Sequence, residues 1–309
     1  MKITVLGAGA MGMLIGGYLS RKNEVWLLDI DRDRVDKINR DGAIIREQDG
    51  TDRVFYPKAV TDCSGLPEMD VVIIFIKSMF TMDALNQNKP IIGKNTYLIT
   101  LQNGSGHEAR LLQFVDRDHA VIGSTQHNSS VISNGYANHG GGGKTSIGLL
   151  TGETAALEPI AGTFTDCGLD CTATDNVRQQ IWNKLFLNTA ASSLTAVLQV
   201  PLGFIYDDPS ARAMMHALAK EAVAVANAEL DGIFDEAAVI DSIETVLQNG
   251  RGGYTSIYAD LKNGMRTEVD TISGSVITAA RRLGIPVPCH EMVVATIHAM
   301  ENKAINKIS

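Results

Sequence analysis

Short apolar runs alternate with helix-patterned segments through the first half of the chain. Runs such as "KITVLGA", "EVWLLD" and "DVVIIFIK" have the length of strands, and the last is apolar throughout its interior. Continuous apolar strands of this kind are typical of sheets covered on both faces. The segments between them repeat apolar residues at helical spacing, as in "GAMGMLIGGYLSRK" and "RDRVDKINRDG". The alternation predicts βαβ units and a doubly wound, mostly parallel α/β sheet.

The pattern changes twice in the rest of the chain. Between about residues 126 and 150, turn residues separate short β-prone segments, which predicts a hairpin that closes the sheet. From about Val177 onward the apolar spacing is helical, with few helix breakers. We therefore predict two domains: an α/β domain over residues 1–174 and an all-α domain over residues 175–309.

Composition and charge restrict the functional classes. The chain has 309 residues and a formal net charge of −8, which argues against a general affinity for nucleic acid or anionic membranes. No apolar run is long enough to cross a membrane, so a cytoplasmic protein is expected. Cys167 and Cys171 lack a second Cys or His pair that would complete a metal site, and no metal is predicted.

The first strand runs into a glycine-rich turn, "GAGAMG", that opens a helix. Gly7 permits the tight turn, Gly9 lets the backbone approach a pyrophosphate, and Gly12 lets the helix pack closely on the strand. The second strand ends at Asp29, where an acidic side chain meets an adenosine ribose. A bound dinucleotide is the prediction, and a simple strand-to-helix turn is the alternative. The backbone residues predicted to bind it are Gly7, Ala8, Gly9, Ala10, Met11 and Gly12.

The identity of the dinucleotide depends on charges after the second strand. The carboxylate of Asp29 favours NAD, because it bonds the ribose 2′-hydroxyl and repels the 2′-phosphate of NADP. Arg32 and Arg34 follow closely and could instead pair with that phosphate, or lie on a solvated helix surface. The second glycine-rich stretch, "NHGGGGKT", is followed by a strand pattern, so it is not predicted to bind ATP.

A polar stripe interrupts the apolar helix "IWNKLFLNTAASSLTAVL". Lys184, Asn188 and Ser192 are four residues apart, a spacing that places them on one helical face. The alternative is a lysine at the solvent edge of an amphipathic helix. Because Asn and Ser are poor residues for a helix interior, we favour a face that lines a ligand site.

Four more polar residues are candidates for the same site. Ser256 and Glu268 stand in "YTSIYADLKNGMRTEVD", with a helix cap and a first-turn glutamate as their structural alternatives. Lys77 closes the apolar strand "VVIIFIK" and Asn103 closes "ITLQNG", and ligands of open α/β sheets bind beyond such strand ends. A lysine snorkelling from the strand end and an Asn-Gly turn are the alternatives there.

These motifs together resemble the ketopantoate reductase (2-dehydropantoate 2-reductase) family over nearly the whole chain. The resemblance rests on "KITVLGAGAMG", "FIKS", "QNGSGHE", "IWNKLFLN" followed by "SLTA", and "TSIYADLKNGMRTEVD". It implies an N-terminal Rossmann domain, an α-helical second domain, and reduction of a 2-oxo acid in the cleft between them. The cofactor would be NADPH or NADH: the resemblance favours NADPH, whereas Asp29 favours NADH.

The resemblance also implies roles for the polar residues. Lys184 would be the catalytic lysine and Glu268 the acid of the cleft, close to the cofactor. Asn188 and Ser256 would bind substrate, and Ser192 is added to them because it lies on the same stripe. Lys77 and Asn103 would lie beside the nicotinamide end of the cofactor, with Asn103 also close to the substrate.

The sequence departs from the family pattern at three places. Ser192 stands where pantoate-forming members often carry Asn, and "VPLGFI" lacks the Asn often found after its proline. The second strand ends in "LLDID", without the basic residue common in members that use NADPH. NAD-dependent D-2-hydroxyacid dehydrogenases share the architecture and are the alternative enzyme. A dinucleotide-binding regulator without turnover is the alternative outside enzymes, and the resemblance allows a homodimer.

Overall fold

The computed structural model describes residues 1–305, and its internal contacts divide the chain into two compact units. The first unit comprises Met1–Gln102 and His107–Gln180, and the second comprises Asn103–Gly106 and the residues from Ile181 onward. The contacts thus change between Gln180 and Ile181, six residues later than the predicted boundary after residue 174, and the segment 103–106 groups with the helical unit.

Twelve strands lie in the first unit. They are β1 (Lys2–Leu6), β2 (Glu24–Leu28), β3 (Ala43–Arg46), β4 (Asp52–Phe55), β5 (Lys58–Val60), β6 (Val71–Ile74), β7 (Tyr97–Thr100), β8 (Ala120–Thr125), β9 (Asn128–Ser133), β10 (Tyr136–Gly141), β11 (Thr145–Leu149) and β12 (Cys171–Ala173). Eight of them form one sheet in the order β12-β11-β8-β7-β6-β1-β2-β5, in which only the β8–β11 pairing is antiparallel. The predicted doubly wound, mostly parallel sheet is confirmed.

Helices cover the sheet, as the continuous apolar strands predict. The helices that begin in this unit are α1 (Ala10–Leu19), α2 (Arg32–Asp41), α3 (Thr81–Gln87), α4 (Glu108–Leu111), α5 (Glu158–Asp166) and α6 (Val177–Leu187). The central strands are buried on both faces: Ile3, Val5, Ile73 and Ile99 have no exposed surface. Each such side chain contributes roughly 1.5–3 kcal/mol by leaving water. The glycine-rich turn therefore follows a buried interior strand, β1, that is paired on both sides.

The predicted hairpin forms, but its place was predicted wrongly. The strands β9 and β10 pair with each other, and β10 pairs in parallel with β3, so that the hairpin belongs to a separate four-stranded sheet, β4-β3-β10-β9. The large sheet is extended by β11 instead, antiparallel to β8. The hairpin joins β3 because its buried Ala137 and the buried Ile45 of β3 share one apolar core with α1.

The second unit is helical, which confirms the all-α prediction. Its helices after α6 are α7 (Ser193–Leu198), α8 (Leu202–Asp207), α9 (Pro209–Glu229), α10 (Glu236–Asn249), α11 (Ser256–Lys262), α12 (Ser273–Leu283) and α13 (Pro288–Ile305). The alanine-rich α9 buries its small side chains against neighbouring helices, so the second core closes around it. None of the helices over residues 1–305 is both long and apolar enough to cross a membrane.

Two helix boundaries differ from those that the sequence predicts. The helical spacing after Val177 includes "TEVDTISGSVITAARRLG" and predicts a helix over that whole segment, but α12 begins only at Ser273, and Glu268 lies in a turn before it. Between α6 and α7 the helix continues as a π-helix over Asn188–Ser192. Both irregularities fall on residues predicted to form the site.

Candidate active site

The glycine-rich turn has the geometry that its sequence predicts. Gly7 adopts φ +98°, a left-handed conformation, and a Cβ there would lie 2.9 Å from the Ile76 side chain. A Cβ on Gly12 would lie 1.8 Å from the carbonyl oxygen of Gly7, so only glycine lets α1 pack this closely on the turn. The conformational roles of both residues are confirmed, while contact with a cofactor stays a prediction.

The start of α1 suits an anionic group. Gly9 is the N-cap residue, and a Cβ placed on it would meet nothing within 4 Å, which leaves space for a ligand against the backbone. The first N–H groups of a helix, here from Ala10 and Met11, have no partner within the helix and carry its positive dipole end. These features fit the pyrophosphate of a dinucleotide.

Asp29, which directly follows β2, is bonded to three groups of the protein itself. Its Oδ2 accepts the Ala8 N–H at 2.8 Å and the Arg34 guanidinium at 2.8 Å, and its Oδ1 accepts the Asp31 N–H at 3.0 Å. Arg34 is also paired with Asp31, at 3.4 Å. The charge of Arg34 is therefore neutralised by two carboxylates, while Arg32 is exposed. The Ala8 N–H ties the glycine-rich turn to β2.

Lys77 lies in the loop after β6, three residues beyond the strand rather than at its end, and it precedes a short 3₁₀-helix. The loop is held by Gln102, a buried residue that follows β7. The Gln102 amide donates to the Ile76 carbonyl at 2.7 Å and to Thr81 Oγ1 at 2.9 Å. These two contacts tie the carbonyl before Lys77 and the side chain of Thr81 to the segment after β7.

Lys184 lies on α6 with its ammonium removed from water. Burial lowers its pKa from 10.5 to about 8, and the carboxylate of Glu268 works in the opposite direction by favouring the charged form. This desolvation argues against the alternative of a lysine at the solvent edge, and the role of Lys184 stays a prediction. Lys184 can therefore release and take up a proton near neutral pH.

The π-helix changes how the polar stripe is aligned. In an α-helix with 3.6 residues per turn, residues four apart advance by roughly 40° around the axis. A turn with i→i+5 hydrogen bonds takes more than four residues, so the next four-residue step turns slightly backward. Lys184 and Asn188 are separated by α-helix, and Asn188 and Ser192 by the π-helix. The two steps oppose each other, so Lys184 and Ser192 point in similar directions.

The end of the π-helix is bonded to the turn that carries Ser256. Thr255 caps α11, with its hydroxyl accepting the Tyr258 N–H at 3.3 Å. The same hydroxyl lies 2.8 Å from Thr195 Oγ1 and donates to the carbonyl of Ser192 at 3.4 Å. Thr255, rather than Ser256, is the cap. Ser256 is the exposed first residue of α11. It directly follows Thr255, whose hydroxyl is bonded to the Ser192 carbonyl.

Glu268 and Asn103 belong to neighbouring segments of the second unit. The Glu268 carbonyl accepts the N–H groups of Thr271 and Ile272, each at 3.1 Å, which closes the turn before α12. The Thr271 carbonyl in turn accepts the Ser105 N–H at 3.1 Å, which brings the segment 103–106 against this turn. The first-turn placement predicted for Glu268 as an alternative is wrong, because α12 begins five residues later.

The structure thus brings most of the predicted polar residues of the second unit together in pairs. Lys184 interacts with Glu268, the Ser192 backbone contacts the cap beside Ser256, and the segment of Asn103 adjoins the turn of Glu268. Over residues 1–305 no group of His, Cys, Asp or Glu side chains is arranged to hold a metal ion.

Three residues that position this site were not predicted. Gln102 and Thr255 each stood beside a predicted residue, and their polarity between apolar segments was the available signal. Glu301, on α13, accepts both the N–H and the hydroxyl of Thr267 at 2.7 Å and so holds the residue before Glu268. Nothing local in the sequence of α13 indicates that contact, because the partners are separated by 34 residues.

Comparison with known proteins decides the family. The model of the N-terminal domain described as "Ketopantoate reductase PanE/ApbA" matches residues 3–152, and that of the corresponding C-terminal domain matches residues 176–301. The chain belongs to the ketopantoate reductase family. This confirms the resemblance inferred from its motifs, and an oxidoreductase is the enzyme class of that family.

Individual ketopantoate reductases and a related dehydrogenase match over almost the full length. A 2-dehydropantoate 2-reductase of Pyrococcus horikoshii is 32% identical over 305 residues, covering 98% of both chains. A solved ketopantoate reductase of Ralstonia eutropha aligns with a TM-score of 0.89, 29% identity, and coverage of 99% of this chain and 100% of its own. D-mandelate dehydrogenase, solved with NADH and anilino(oxo)acetate, aligns with a TM-score of 0.92, 27% identity and coverage of 99% of both chains.

Proposed function

We propose that this ketopantoate reductase family member reduces ketopantoate to pantoate, for pantothenate biosynthesis, at the expense of a reduced nicotinamide dinucleotide. The observation that carries the proposal is the environment of Lys184. Its ammonium is desolvated, which lowers its pKa to about 8, while the carboxylate of Glu268 favours the charged form. Lys184 also lies on the helix that continues into Asn188 and Ser192. A cation of this kind is what the reduction of a ketone requires, because negative charge builds on the carbonyl oxygen.

The residues divide the work of this reaction. When bound, the nicotinamide supplies the hydride that reaches the ketone carbon. Lys184 donates a hydrogen bond to the ketone oxygen and then delivers its proton to the alkoxide. Glu268 keeps the ammonium protonated before that step. Asn188, Ser192 and Ser256 bind the substrate carboxylate and hydroxyl through neutral donors.

The proposed acid predicts a pH profile and a shift of that profile. For reduction, kcat/KM should fall as pH rises through about 8, because Lys184 then loses its proton. Glu268→Gln should move the fall to lower pH, since the variant loses the carboxylate that raises the lysine pKa. The pH profile of kcat/KM measures this, with Glu236→Gln, an exposed glutamate, as control. A Glu268→Gln profile that coincides with that of the wild type would contradict the assignment.

The direct test is a panel of 2-oxo acids assayed with both NADH and NADPH. Ketopantoate should be turned over repeatedly, with oxidation of the reduced nicotinamide followed by its absorbance. Turnover of no 2-oxo acid with either dinucleotide would refute the reductase and favour the dinucleotide-binding regulator. Size-exclusion chromatography on the same preparation tests the homodimer.

A second candidate enzyme follows from Ser192, which stands where the family resemblance leads us to expect Asn in pantoate-forming members. Ser192 is a buried serine on the polar stripe, and D-mandelate dehydrogenase is similar to this chain over its full length. A D-2-hydroxyacid dehydrogenase that reduces another 2-oxo acid is therefore the second candidate. In the panel, a kcat/KM for phenylglyoxylate above that for ketopantoate would decide for it.

The cofactor of the proposed reaction is NADH rather than NADPH. Asp29 is ionisable and only 9% exposed at the end of β2, and its neighbour Arg34 is already paired with Asp29 and Asp31. A 2′-phosphate there would meet the carboxylate and find only the exposed Arg32 to bind. D-mandelate dehydrogenase, with NADH in its solved structure, supports the same choice.

Asp29→Asn tests this preference without removing the acceptor for the Ala8 N–H. The ratio of kcat/KM for NADH to that for NADPH should fall about tenfold, because a hydrogen bond to a charged group is worth roughly 1.5–3 kcal/mol. Arg32→Ala is the matched arm and should weaken the use of NADPH alone. An unchanged ratio in Asp29→Asn would show that the carboxylate does not set the preference.

A further inference from the structure

Behind the π-helix lies a buried chain of hydrogen bonds whose residues have no role in the proposed reaction. Thr189 Oγ1 donates to Ser273 Oγ at 2.9 Å, and Ser273 Oγ lies 2.7 Å from Ser193 Oγ. On its other side, Thr189 Oγ1 lies 2.9 Å from His290 Nε2. All four of these residues are fully buried, so each hydroxyl depends on this chain for its partners.

The far end of the chain is an anchored carboxylate. Glu221, on α9, accepts the N–H groups of Cys289 and His290 at 2.9 and 3.0 Å, and its Oε2 lies 2.7 Å from His290 Nδ1. Burial acts to raise the pKa of Glu221, but the bonds from His290 and Cys289 outweigh it and hold the pKa below its usual value. The carboxylate is therefore ionised at the positive end of α13, and it fixes the imidazole ring with Nε2 directed at Thr189.

Thr189 connects this hydrogen-bond chain to the π-helix that carries Asn188 and Ser192. Thr189 is the second residue of the π-helix and directly follows Asn188, while Ser193 directly follows Ser192. The hydrogen-bond chain therefore holds the π-helix near both of its ends, through residues that each directly follow a residue of the polar stripe. A π-helix is rare because a regular α-helix is the more stable form, so a wide turn needs contacts of this kind to persist.

We propose that Glu221, His290 and Thr189 are positioning residues that hold the π-helix and so aim Asn188 and Ser192 at the 2-oxo acid. The inference rests on the proposed function for its kinetic part. None of the three residues needs to touch the substrate, and their effect passes through the backbone of Asn188–Ser192.

The competing explanation is that the chain only satisfies buried polar groups. Thr189→Val and Thr189→Ser separate the two, because valine keeps the shape of threonine without the hydroxyl and serine keeps the hydroxyl. The matched control is Thr96→Val in the first unit. Thr96 is also buried, and its Oγ1 donates to the Met69 carbonyl at 2.6 Å and accepts the Gly93 N–H at 2.9 Å.

Two readouts on the full-length enzyme test the proposal. In hydrogen–deuterium exchange, Thr189→Val should exchange the amides of 188–193 about tenfold faster than the wild type, while Thr189→Ser should not. In steady-state kinetics, Thr189→Val should raise the KM for the 2-oxo acid about tenfold and leave the KM for the dinucleotide unchanged. Thr96→Val should lower the melting temperature without either effect.

Equal amide exchange over 188–193 in Thr189→Val and the wild type overturns the inference. Faster exchange with an unchanged KM for the 2-oxo acid overturns it as well. If the wild type turns over no 2-oxo acid, the proposed function fails while the exchange comparison still decides whether the chain holds the π-helix. If Thr189→Val does not fold, Ser273→Ala is measured in the same way, because it removes the next hydroxyl of the chain.

Discussion

Replacing Lys184 with alanine is expected to lower kcat for ketopantoate reduction by about 10²–10⁴-fold, the usual effect of losing a general acid. The ammonium with its pKa of about 8 is the cation that the proposal assigns to the ketone oxygen, and water reaching the cavity left by alanine is a poorer acid. The KM for the dinucleotide should change little, because its proposed contacts lie at the glycine-rich turn. Steady-state kinetics at a fixed pH below 8 measures both quantities.

Two variants sharpen this result. Lys220→Ala removes an exposed lysine of α9 that is paired with Glu236 at 3.5 Å, and it should keep the wild-type kcat. Lys184→Arg keeps the positive charge but cannot release a proton near pH 8. It should retain substrate binding better than Lys184→Ala while kcat stays low. Near wild-type turnover by Lys184→Ala would end the assignment of the acid.

Replacing Gly12 with alanine is expected to abolish measurable dinucleotide binding, a loss on the order of 100-fold or more in affinity. The added Cβ would lie 1.8 Å from the Gly7 carbonyl, a distance that no relaxation of a side chain can relieve. Either α1 moves away from β1 or the turn opens, and both changes disrupt the backbone donors. Overpacking should also cost about 1–3 kcal/mol of unfolding free energy.

Gly162→Ala is the matched control for this variant. Gly162 lies inside α5, in the same unit, and a Cβ placed there would meet nothing within 4 Å. Alanine is the better helix former, so this variant should gain roughly 0.5–1 kcal/mol and bind the dinucleotide as the wild type does. Fluorescence titration with NADH and thermal unfolding measure both effects. Equal NADH affinity in the two variants would show that close packing at Gly12 does not support the cofactor site.

The parts of the fold that were predicted correctly depend on local physics. Gly7 and Gly12 are needed by the geometry of one turn, and the apolar strand around Ile73 needs cover on both faces wherever it lies. For such features the residues and their spacing carry the whole requirement, so the parallel sheet, the glycine-rich turn and the helical second unit could be predicted. The family motif around Lys184 also extended the prediction to the residue that we propose as the proton donor.

The parts that were missed depend on partners distant in the chain. The hairpin after residue 126 was predicted from its turn residues, but those residues say nothing about which sheet receives it. The π-helix at Asn188 could not be predicted from the sequence, because the same residues also suit an α-helix. The hydrogen bonds that accompany it come from Ser273 and His290, which are distant in the chain. The late start of α12 has a similar origin, since Glu301 binds the backbone and side chain of Thr267, directly before Glu268. Local propensity gives no sign of any of these contacts.

The contribution of α13 also has a consequence for how the protein is made. This last helix supplies His290 to the chain behind the π-helix and Glu301 to the turn of Glu268. On the ribosome, every residue of the proposed reaction is synthesised before either of them. The nascent second unit therefore contains Lys184, Asn188 and Glu268 before the contacts from α13 that position them can form. The proposed site is completed only when α13 has left the exit tunnel and packed against the unit.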